Sequence, residues 1–360
     1  GVLGCMAQNL KEELLDHPVA NLVVGPDNYR ALPSLIDRIV QTNHQEISAS
    51  LSEYETYSDI APARIAGVNA WVTIMRGCDN FCTFCVVPYT RGRERSLPVS
   101  SILNQLSDLV KSGYRQATLL GQNVNSYCYE GEGFADLMVK AAGIPGLERI
   151  RFTSPHPKDF PEKLLYAIAE HPNICNHIHL PLQSGSDRIL NLMNRTYTSA
   201  EYLDLVKTIR RIIPTATLTT DIIVGFPTET EALFQETMQV MKDVEFDNAF
   251  IFKYSERKGT IAARDYPEDV SEETKTDRII RMNDLQNNIA FAKHKNYIGQ
   301  EVQVLIEGDA NKGINQQMGK TEGNLTVVFS KTAFNPGEFV TVRIKETTTG
   351  TLYGEVIADD

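Results

Sequence analysis

Three cysteines, Cys78, Cys82 and Cys85, lie in the run Arg-Gly-Cys-Asp-Asn-Phe-Cys-Thr-Phe-Cys. This Cys-x-x-x-Cys-x-x-Cys spacing sets three thiolates on one short loop and supplies no fourth. Three thiolates hold three corners of a [4Fe–4S] cube and leave one iron free for a ligand that is not protein. An open position makes a metal site reactive rather than merely structural. The alternative is a structural zinc knot, but such knots take four ligands, usually two cysteine pairs or a pair with histidines. The motif contains no histidine and no second pair follows it. We therefore read the loop as the holder of a reactive cluster.

The rest of the chain must position that loop. At 360 residues, with 42% hydrophobic and 22% charged residues, it has the composition of a globular protein of two or three domains. No stretch approaches the ~20 apolar residues of a membrane span, and the first residues do not read as a signal peptide. Six clustered cysteines without a secretion signal argue for a reducing cytoplasm and metal chemistry rather than a disulfide framework. The net charge of −11 weighs against nucleic-acid binding unless basic residues are gathered locally. Three basic clusters are available: Arg76, Arg91, Arg93 and Arg95; Arg149, Arg151, His156 and Lys158; and Arg188, Arg195, Lys207, Arg210 and Arg211.

Six short apolar runs, near 69–75, 116–120, 148–153, 176–180, 217–224 and 247–253, read as strands. Amphipathic helical stretches follow most of them, as at Ser101–Lys111, Glu162–Glu170, Glu201–Ile212 and Leu233–Val244. Alternating strands and helices imply parallel strands with right-handed crossovers. Six units predict a partly closed (β/α)6 barrel, with chemistry at the carboxyl ends of the strands. Polar loops rich in Gly or Pro follow all six runs, and the cysteine loop is the first of them. The expectation is that this loop and the three basic clusters converge on one rim. Trp71, inside the first strand, is expected in the core. Cys128 and Cys175, which lack ligand partners at useful spacing, read as ordinary small apolar residues.

Beyond about Gly299 the pattern becomes alternating strands, Glu301–Ile306, Leu325–Phe329, Phe339–Ile344 and Thr351–Ile357, between Gly, Asn and Pro turns. This predicts a small antiparallel barrel of five strands, one of them faint near Gln316–Thr321. With five basic and nine acidic residues it carries a net charge of −4. A polar helix from Ser271 to about Tyr297 joins it to the larger barrel. At the other end, Val2–Leu3, a helix through Glu12–Leu15, a strand at Leu22–Val24 and a helix through Leu35–Val40 read as an α/β fragment. Because the chain opens on Gly1 inside a strand, its start is expected to be missing. Cys5 sits where a strand meets a helix N-terminus, a setting that favours a thiolate.

The cysteine loop resembles that of radical S-adenosylmethionine (SAM) enzymes. Its continuation Cys85-Val-Val-Pro-Tyr-Thr-Arg-Gly92, together with Leu119-Leu-Gly-Gln-Asn-Val-Asn-Ser-Tyr127, His179-Leu-Pro-Leu-Gln-Ser-Gly-Ser-Asp187 and Asp221-Ile-Ile-Val-Gly-Phe-Pro-Thr-Glu-Thr230, is similar to the methylthiotransferases. Within that family it most resembles the members acting on isopentenyladenosine in tRNA. The resemblance implies an α/β chain of three parts: an N-terminal methylthiotransferase fragment at 1–62, a radical SAM barrel at 63–298 and a TRAM β-barrel at 299–360. It implies that Cys78, Cys82 and Cys85 hold a [4Fe–4S] cluster that binds and cleaves SAM. A second SAM donates methyl to a sulfur on an auxiliary [4Fe–4S] cluster. Of the three cysteines that the family uses for that cluster, only Cys5 is matched.

The backbone of Phe84 is expected near the adenine of SAM, or its ring packs beneath the cluster. Gln122, Ser154, Gln183, Arg195 and Asp221 are candidates for the methionine and ribose groups, and Ile223 and Gly225 lie on the motif expected near the adenine. Asn123 and Asn125 either touch a tRNA base or close a turn. Glu229 sits one place later than in the general pattern. The implied reaction converts N6-isopentenyladenosine beside the tRNA anticodon to its 2-methylthio form. The rival substrates are threonylcarbamoyladenosine in tRNA and an aspartate of a ribosomal protein. A rival of another class is a non-catalytic zinc- and RNA-binding protein. Implied partners are the tRNA anticodon stem-loop, an electron donor such as a flavodoxin system, and an iron–sulfur or sulfur carrier protein. A cytoplasmic monomer without membrane attachment is expected.

Overall fold

The computed structural model describes residues 1–60, 62–64, 67–158, 160–310 and 315–357. The expected end of the last domain, at 358–360, lies outside them. The chain opens with a three-stranded parallel sheet, β1 (Val2–Leu3), β2 (Leu22–Val24) and β3 (Glu46–Ser48), connected by helices α1 (Cys5–Leu10) and α2 (Leu32–Thr42). The helix expected at Glu12–Leu15 is instead α1 followed by a 3-10 turn at Lys11–Leu14. Gly4, with φ 99°, turns the chain out of β1, so helical turns begin at Cys5, and Lys11 at φ 47° ends them. Strand β3 is three half-buried residues with no alternation to announce it.

Asp27 ties this sheet to the next unit. Its carboxylate is fully enclosed and receives Arg76 at 3.2 Å and Arg95 at 3.1 Å. Arg76 also donates to the Pro26 carbonyl, and Arg95 to those of Ser52 and Arg91. Two of the arginines expected on a nucleic-acid rim therefore sit inside a buried ion-pair network. A third, Arg93, is engaged by Asp79 at 2.6 Å.

The six expected strands form as β4 (Asn69–Thr73), β5 (Gln116–Leu120), β6 (Arg149–Phe152), β7 (His177–His179), β8 (Thr217–Val224) and β9 (Asn248–Lys253). All pair in parallel, as two sheets β6-β5-β4 and β7-β8-β9 joined by the bridge Ile150–Ile174. Helices α3 (Val87–Arg91), α4 (Val99–Lys111), α5 (Phe134–Ala142), α6 (Glu162–Glu170), α7 (Asp187–Leu192), α8 (Ser199–Ile212), α9 (Glu231–Val244), α10 (Ile261–Asp265) and α11 (Glu272–Lys295) follow in order. Ala70 and Val72 of β4 pack into the main core with Ile102 and Leu106 of α4. Alternation puts Asn69, Trp71 and Thr73 on the opposite, inward face. Among the described residues no ladder joins β4 to β9, so the barrel is open along that side. Trp71 is consequently 57% exposed rather than in the core. Cys175 is buried as expected, but Cys128 is exposed.

Helix α11 starts on Ser271, whose hydroxyl accepts the Thr274 N–H. It packs along β9 and leads to β10 (Glu301–Asp309), β11 (Gln316–Lys320), β12 (Thr326–Ser330), β13 (Phe339–Thr347) and β14 (Leu352–Val356). These five close a barrel in the order β10-β11-β12-β14-β13. The expected antiparallel pattern has one exception, because β12 and β14 pair in parallel to close it.

The turn after β11 is inserted into the amino-terminal mouth of the large barrel. Arg149 donates to the carbonyls of Lys320 at 2.6 Å and Gln303 at 3.2 Å. Arg151 reaches those of Thr321 at 2.7 Å and Glu322 at 2.8 Å, and the Thr217 hydroxyl that of Gly323 at 2.8 Å. Both arginines are buried, and burial pushes Arg149 down to about 10. The two arginines of the second basic cluster are thus not on the carboxyl rim, unlike its His156, which lines the cavity there. Both arginines satisfy carbonyls that would otherwise be buried without partners.

Candidate functional site

The cysteine loop leaves the strand ends through Gly77, whose φ is 80°. A Cβ there would stand 2.0 Å from the Arg93 carbonyl oxygen, so only glycine fits. The loop is braced by protein at every turn. Gly77 N–H donates to Gln122 Oε1 at 2.7 Å, and Cys78 N–H to the Gly92 carbonyl at 3.2 Å. Asn194 donates to the carbonyls of Asn80 and Phe81, and Thr83 to those of Met193 and Leu192.

The three cysteines line one cavity of about 380 Å³ together with Phe84, Gln122, Ser154, Gln183, Arg195 and Asp221. A neighbouring cavity of about 310 Å³ shares Phe84, Gln183 and Asp221 and adds Ile223, Phe252 and Tyr254. All the expected SAM-side candidates are therefore gathered at the carboxyl ends of the strands. A larger cavity of about 710 Å³ lies between the two barrels, but no thiol lines it.

Several of these groups are held in specific postures. Ser154 and Gln183 both adopt left-handed backbone, with φ 60° and 68°, a cost that clusters at functional sites. Arg195 is buried and donates to Cys82 Sγ at 3.5 Å, to Tyr197 Oη at 3.0 Å and to the Pro181 carbonyl at 2.9 Å. Asn80 donates to Cys78 Sγ at 3.5 Å. Asp221 faces His179 Nε2 at 3.2 Å. The Phe84 ring packs with Ile189, Met193, Phe226 and Tyr254. Glu229 accepts the Gly225 N–H at 2.6 Å and pairs with Arg278 at 2.8 Å, so it braces the loop after β8.

Burial pushes the Cys78 thiol up to about 11 and raises Cys85 as well. The donor set fits a [4Fe–4S] cluster: three thiols on one wall, with donors aimed at two of the sulfurs. Loading it converts the thiols to thiolates and releases their protons. It fits a single ion less well. Among the described residues no three His, Cys, Asp or Glu side chains are placed to close on one metal, whereas a cube takes each thiolate on a different iron.

Other expectations are divided. Asn125 closes a turn, exchanging hydrogen bonds of 2.8 Å with the backbone of His156. Asn123 is buried beside Glu94, its Oδ1 without a partner. Of the third basic cluster, Arg195 belongs to the cavity. Arg210 caps α9 at the Val244 carbonyl and Arg211 pairs with Glu162, both at the far end of α8. The one-rim convergence of basic clusters is therefore overturned. Asn80 and His156 also line the cavity, which no motif in the sequence announces. Both lie in loops already expected at strand ends. Cys5 is the first residue of α1, which packs against α3, directly after the cysteine loop.

His156 is 7% exposed, and burial, with Arg195 and Lys158 adding to it, holds its imidazole down at about 3. The unfolded chain takes up a proton near 6.5 while the folded one does not, so stability falls as pH drops below 6.5. We expect His156→Asn, which keeps an acceptor for the Lys158 N–H, to weaken that dependence. Between pH 7 and 5.5, urea unfolding of the metal-free protein should show wild type losing about 1 kcal/mol more than the variant. Equal losses would show that His156 titrates normally in the folded state.

The chain matches the family model of the radical SAM superfamily over residues 72–241 and that of the TRAM domain over 295–357. It is 48% identical over 364 residues to the tRNA-2-methylthio-N(6)-dimethylallyladenosine synthase of Porphyromonas gingivalis strain W83, covering 99% of this chain and 78% of the relative. It is 49% identical over 365 residues to the protein of the same name from Bacteroides fragilis strain NCTC 9343, covering 99% and 79%. Among solved structures, the cobalamin-dependent SAM radical enzyme OxsB, with aqua-cobalamin and SAM bound, aligns with a TM-score of 0.51 at 13% identity, over 79% of this chain and 42% of that one. This last likeness concerns the fold alone. With its thiol-lined cavity, its two matched domains and near-half identity along almost its whole length, the chain belongs to the family of tRNA-2-methylthio-N(6)-dimethylallyladenosine synthases, radical SAM enzymes that carry a TRAM domain.

Proposed function

We propose that this protein attaches a methylthio group to carbon 2 of N6-isopentenyladenosine next to the tRNA anticodon. The observation that supports this most is the gathering of Cys78, Cys82 and Cys85 with Phe84, Gln122, Ser154, Gln183, Arg195 and Asp221 around one cavity, in a chain of that family. When bound, the [4Fe–4S] cluster and SAM supply a one-electron cleavage yielding a carbon radical that takes the hydrogen from adenine carbon 2. The protein's part is placement and exclusion of water. Cys78, Cys82 and Cys85 hold the cluster, and Arg195 and Asn80 donate to their sulfurs.

Gln183, Ser154 and Asp221 present polar groups to the methionine and ribose of SAM, and Ile223 with Phe84 flanks its adenine. Gln122 acts chiefly by fixing Gly77, because its oxygen is already engaged there. An adenine inside a stacked loop is out of reach, so the base must be splayed out to react.

Cys5 is assigned as one ligand of the auxiliary cluster that carries the sulfur. The packing of α1 on α3 supports this by bringing it toward the cysteine loop. Among the described residues no set of three ligands surrounds it, so the assignment concerns Cys5 alone. The chemistry also requires a one-electron donor, such as a flavodoxin system, and a source of sulfur. No helix among the described residues is long and apolar enough to cross a membrane.

The test is nucleoside analysis of tRNA from cells in which this gene is deleted. The expected result is loss of 2-methylthio-N6-isopentenyladenosine, accumulation of N6-isopentenyladenosine, and restoration by the gene. Persistence of the methylthio nucleoside would overturn the reading. Loss of 2-methylthio-threonylcarbamoyladenosine instead would move the substrate to the rival nucleoside.

A further inference from the structure

The inward face of the large barrel is built in three tiers. At the carboxyl end, Ile223 pairs with Phe252 across β8 and β9, beside Phe84 and the thiol cavity. At the amino end, Arg149, Arg151 and Thr217 grip the turn Lys320–Gly323 and plug the lumen. Between them lies a middle tier. Asp221 pairs with Phe250, whose ring stands edge-on to that of His179 with centroids 6.1 Å apart. On the opposite edge strand, Trp71 is in register with Thr118 and, through it, with Arg151, whose guanidinium reaches from this level to the inserted turn. With the amino end of the lumen plugged, the middle tier opens toward the cavities at the carboxyl end and sideways between β4 and β9, which no ladder joins among the described residues.

That opening is flanked by aromatic surface. Trp71 is 57% exposed and Phe250 51%, each on the inward side of a strand whose other side is core. Exposed rings on the inward faces of the two edge strands that flank this opening offer the aromatic surface on which splayed bases stack.

We infer that Trp71 and Phe250 form the subsite for the target base, stacking its ring and covering its N6-dimethylallyl group, and so set the preference for a prenylated adenosine. This rests on the tRNA reading proposed above and adds the residues that select the substrate. The choice of occupant follows from chemistry in the tier. The rings offer an apolar wall to five hydrocarbon carbons, while the Asp221 carboxylate repels the carboxylate that a threonylcarbamoyl group would bring. The tier also adjoins the SAM-side cavity through Asp221, which lines both cavities, so a base held there lies next to the radical source.

The test is fluorescence anisotropy of the full-length protein with three anticodon stem-loops carrying adenosine, N6-dimethylallyladenosine or threonylcarbamoyladenosine at the same position. Wild type should bind the prenylated loop about tenfold or more tightly than the plain one, in line with burying several methylene equivalents. Phe250→Ser combined with Trp71→Ala should shrink that ratio to within about threefold, while Phe250→Leu, which keeps an apolar wall, should retain most of it. Both side chains are half exposed, and thermal melts matching wild type would confirm that the variants fold. A ratio unchanged in the double variant, or no preference in wild type that still binds tRNA loops, overturns this subsite and leaves the enzyme reading standing. Failure of wild type to bind any of the three loops would overturn both.

Discussion

Replacing any one of Cys78, Cys82 and Cys85 with alanine is expected to reduce formation of 5′-deoxyadenosine from SAM to background while the protein stays folded. The loss should be complete because the loop has no spare thiol. The remaining cysteines cannot compensate: Cys128 is exposed, Cys175 is buried near Arg149 and Arg151, and Cys5 belongs to α1 and lines no part of the thiol cavity. The fold should survive because the loop is braced by protein rather than by metal. Gln122 holds Gly77, Asn194 holds Asn80 and Phe81, and Leu192 and Met193 hold Thr83. This contrasts with small metal-stapled domains, whose folding depends on the ion. The measurement is chromatographic yield of 5′-deoxyadenosine from anaerobically reconstituted protein under strong reductant, with thermal melts of the metal-free forms. Wild-type yield from any single variant would remove that cysteine from the ligand set.

The largest stability effect is expected at Asp27. Its carboxylate is fully enclosed and answers two guanidinium groups that are themselves buried, Arg76 and Arg95. It also accepts the Ser52 N–H at 3.0 Å. Truncation to alanine would leave two buried positive charges facing each other with no anion between them. Removing one partner of a buried ion pair costs about 3–5 kcal/mol, and the Nε atoms of both arginines already lack partners.

Because the network bridges the N-terminal sheet and the cysteine-bearing barrel, Asp27→Ala should also loosen that junction. Urea unfolding should show the midpoint falling sharply, and limited proteolysis should reveal early cleavage between residues 50 and 60. A triple variant, Asp27→Leu with Arg76→Met and Arg95→Met, should recover much of the loss, since the desolvation of three charges is removed together with their attraction. A loss below about 1 kcal/mol for Asp27→Ala would show that water reaches the two arginines.

What local chemistry decides was legible in the chain. Short apolar runs, most of them followed by amphipathic helical stretches, placed all six barrel strands within a residue or two, because a strand covered by helices is apolar along its length. The polar segment after each strand had to lie at the carboxyl rim once the strands were parallel. That is why Cys78, Gln122, Ser154 and Gln183 group on one rim from the sequence, whereas Asp221, inside β8, joins them only through the family motif. The same reasoning anticipated Cys5 at its strand–helix junction.

The tertiary structure decided where charge and open surface go. Arg149 and Arg151 look like a nucleic-acid patch in the sequence, yet they face backbone carbonyls some 170 residues away. A carbonyl leaves no mark on residue identity, so no reading of side chains predicts it. Arg76 and Arg95 likewise answer one aspartate about fifty and seventy positions earlier. Trp71 alternates correctly for a strand, but alternation says only which face it takes. Whether that face is core depends on whether the barrel closes. Here, among the described residues, β4 and β9 do not pair, and an inward-facing tryptophan becomes exposed surface along the open side.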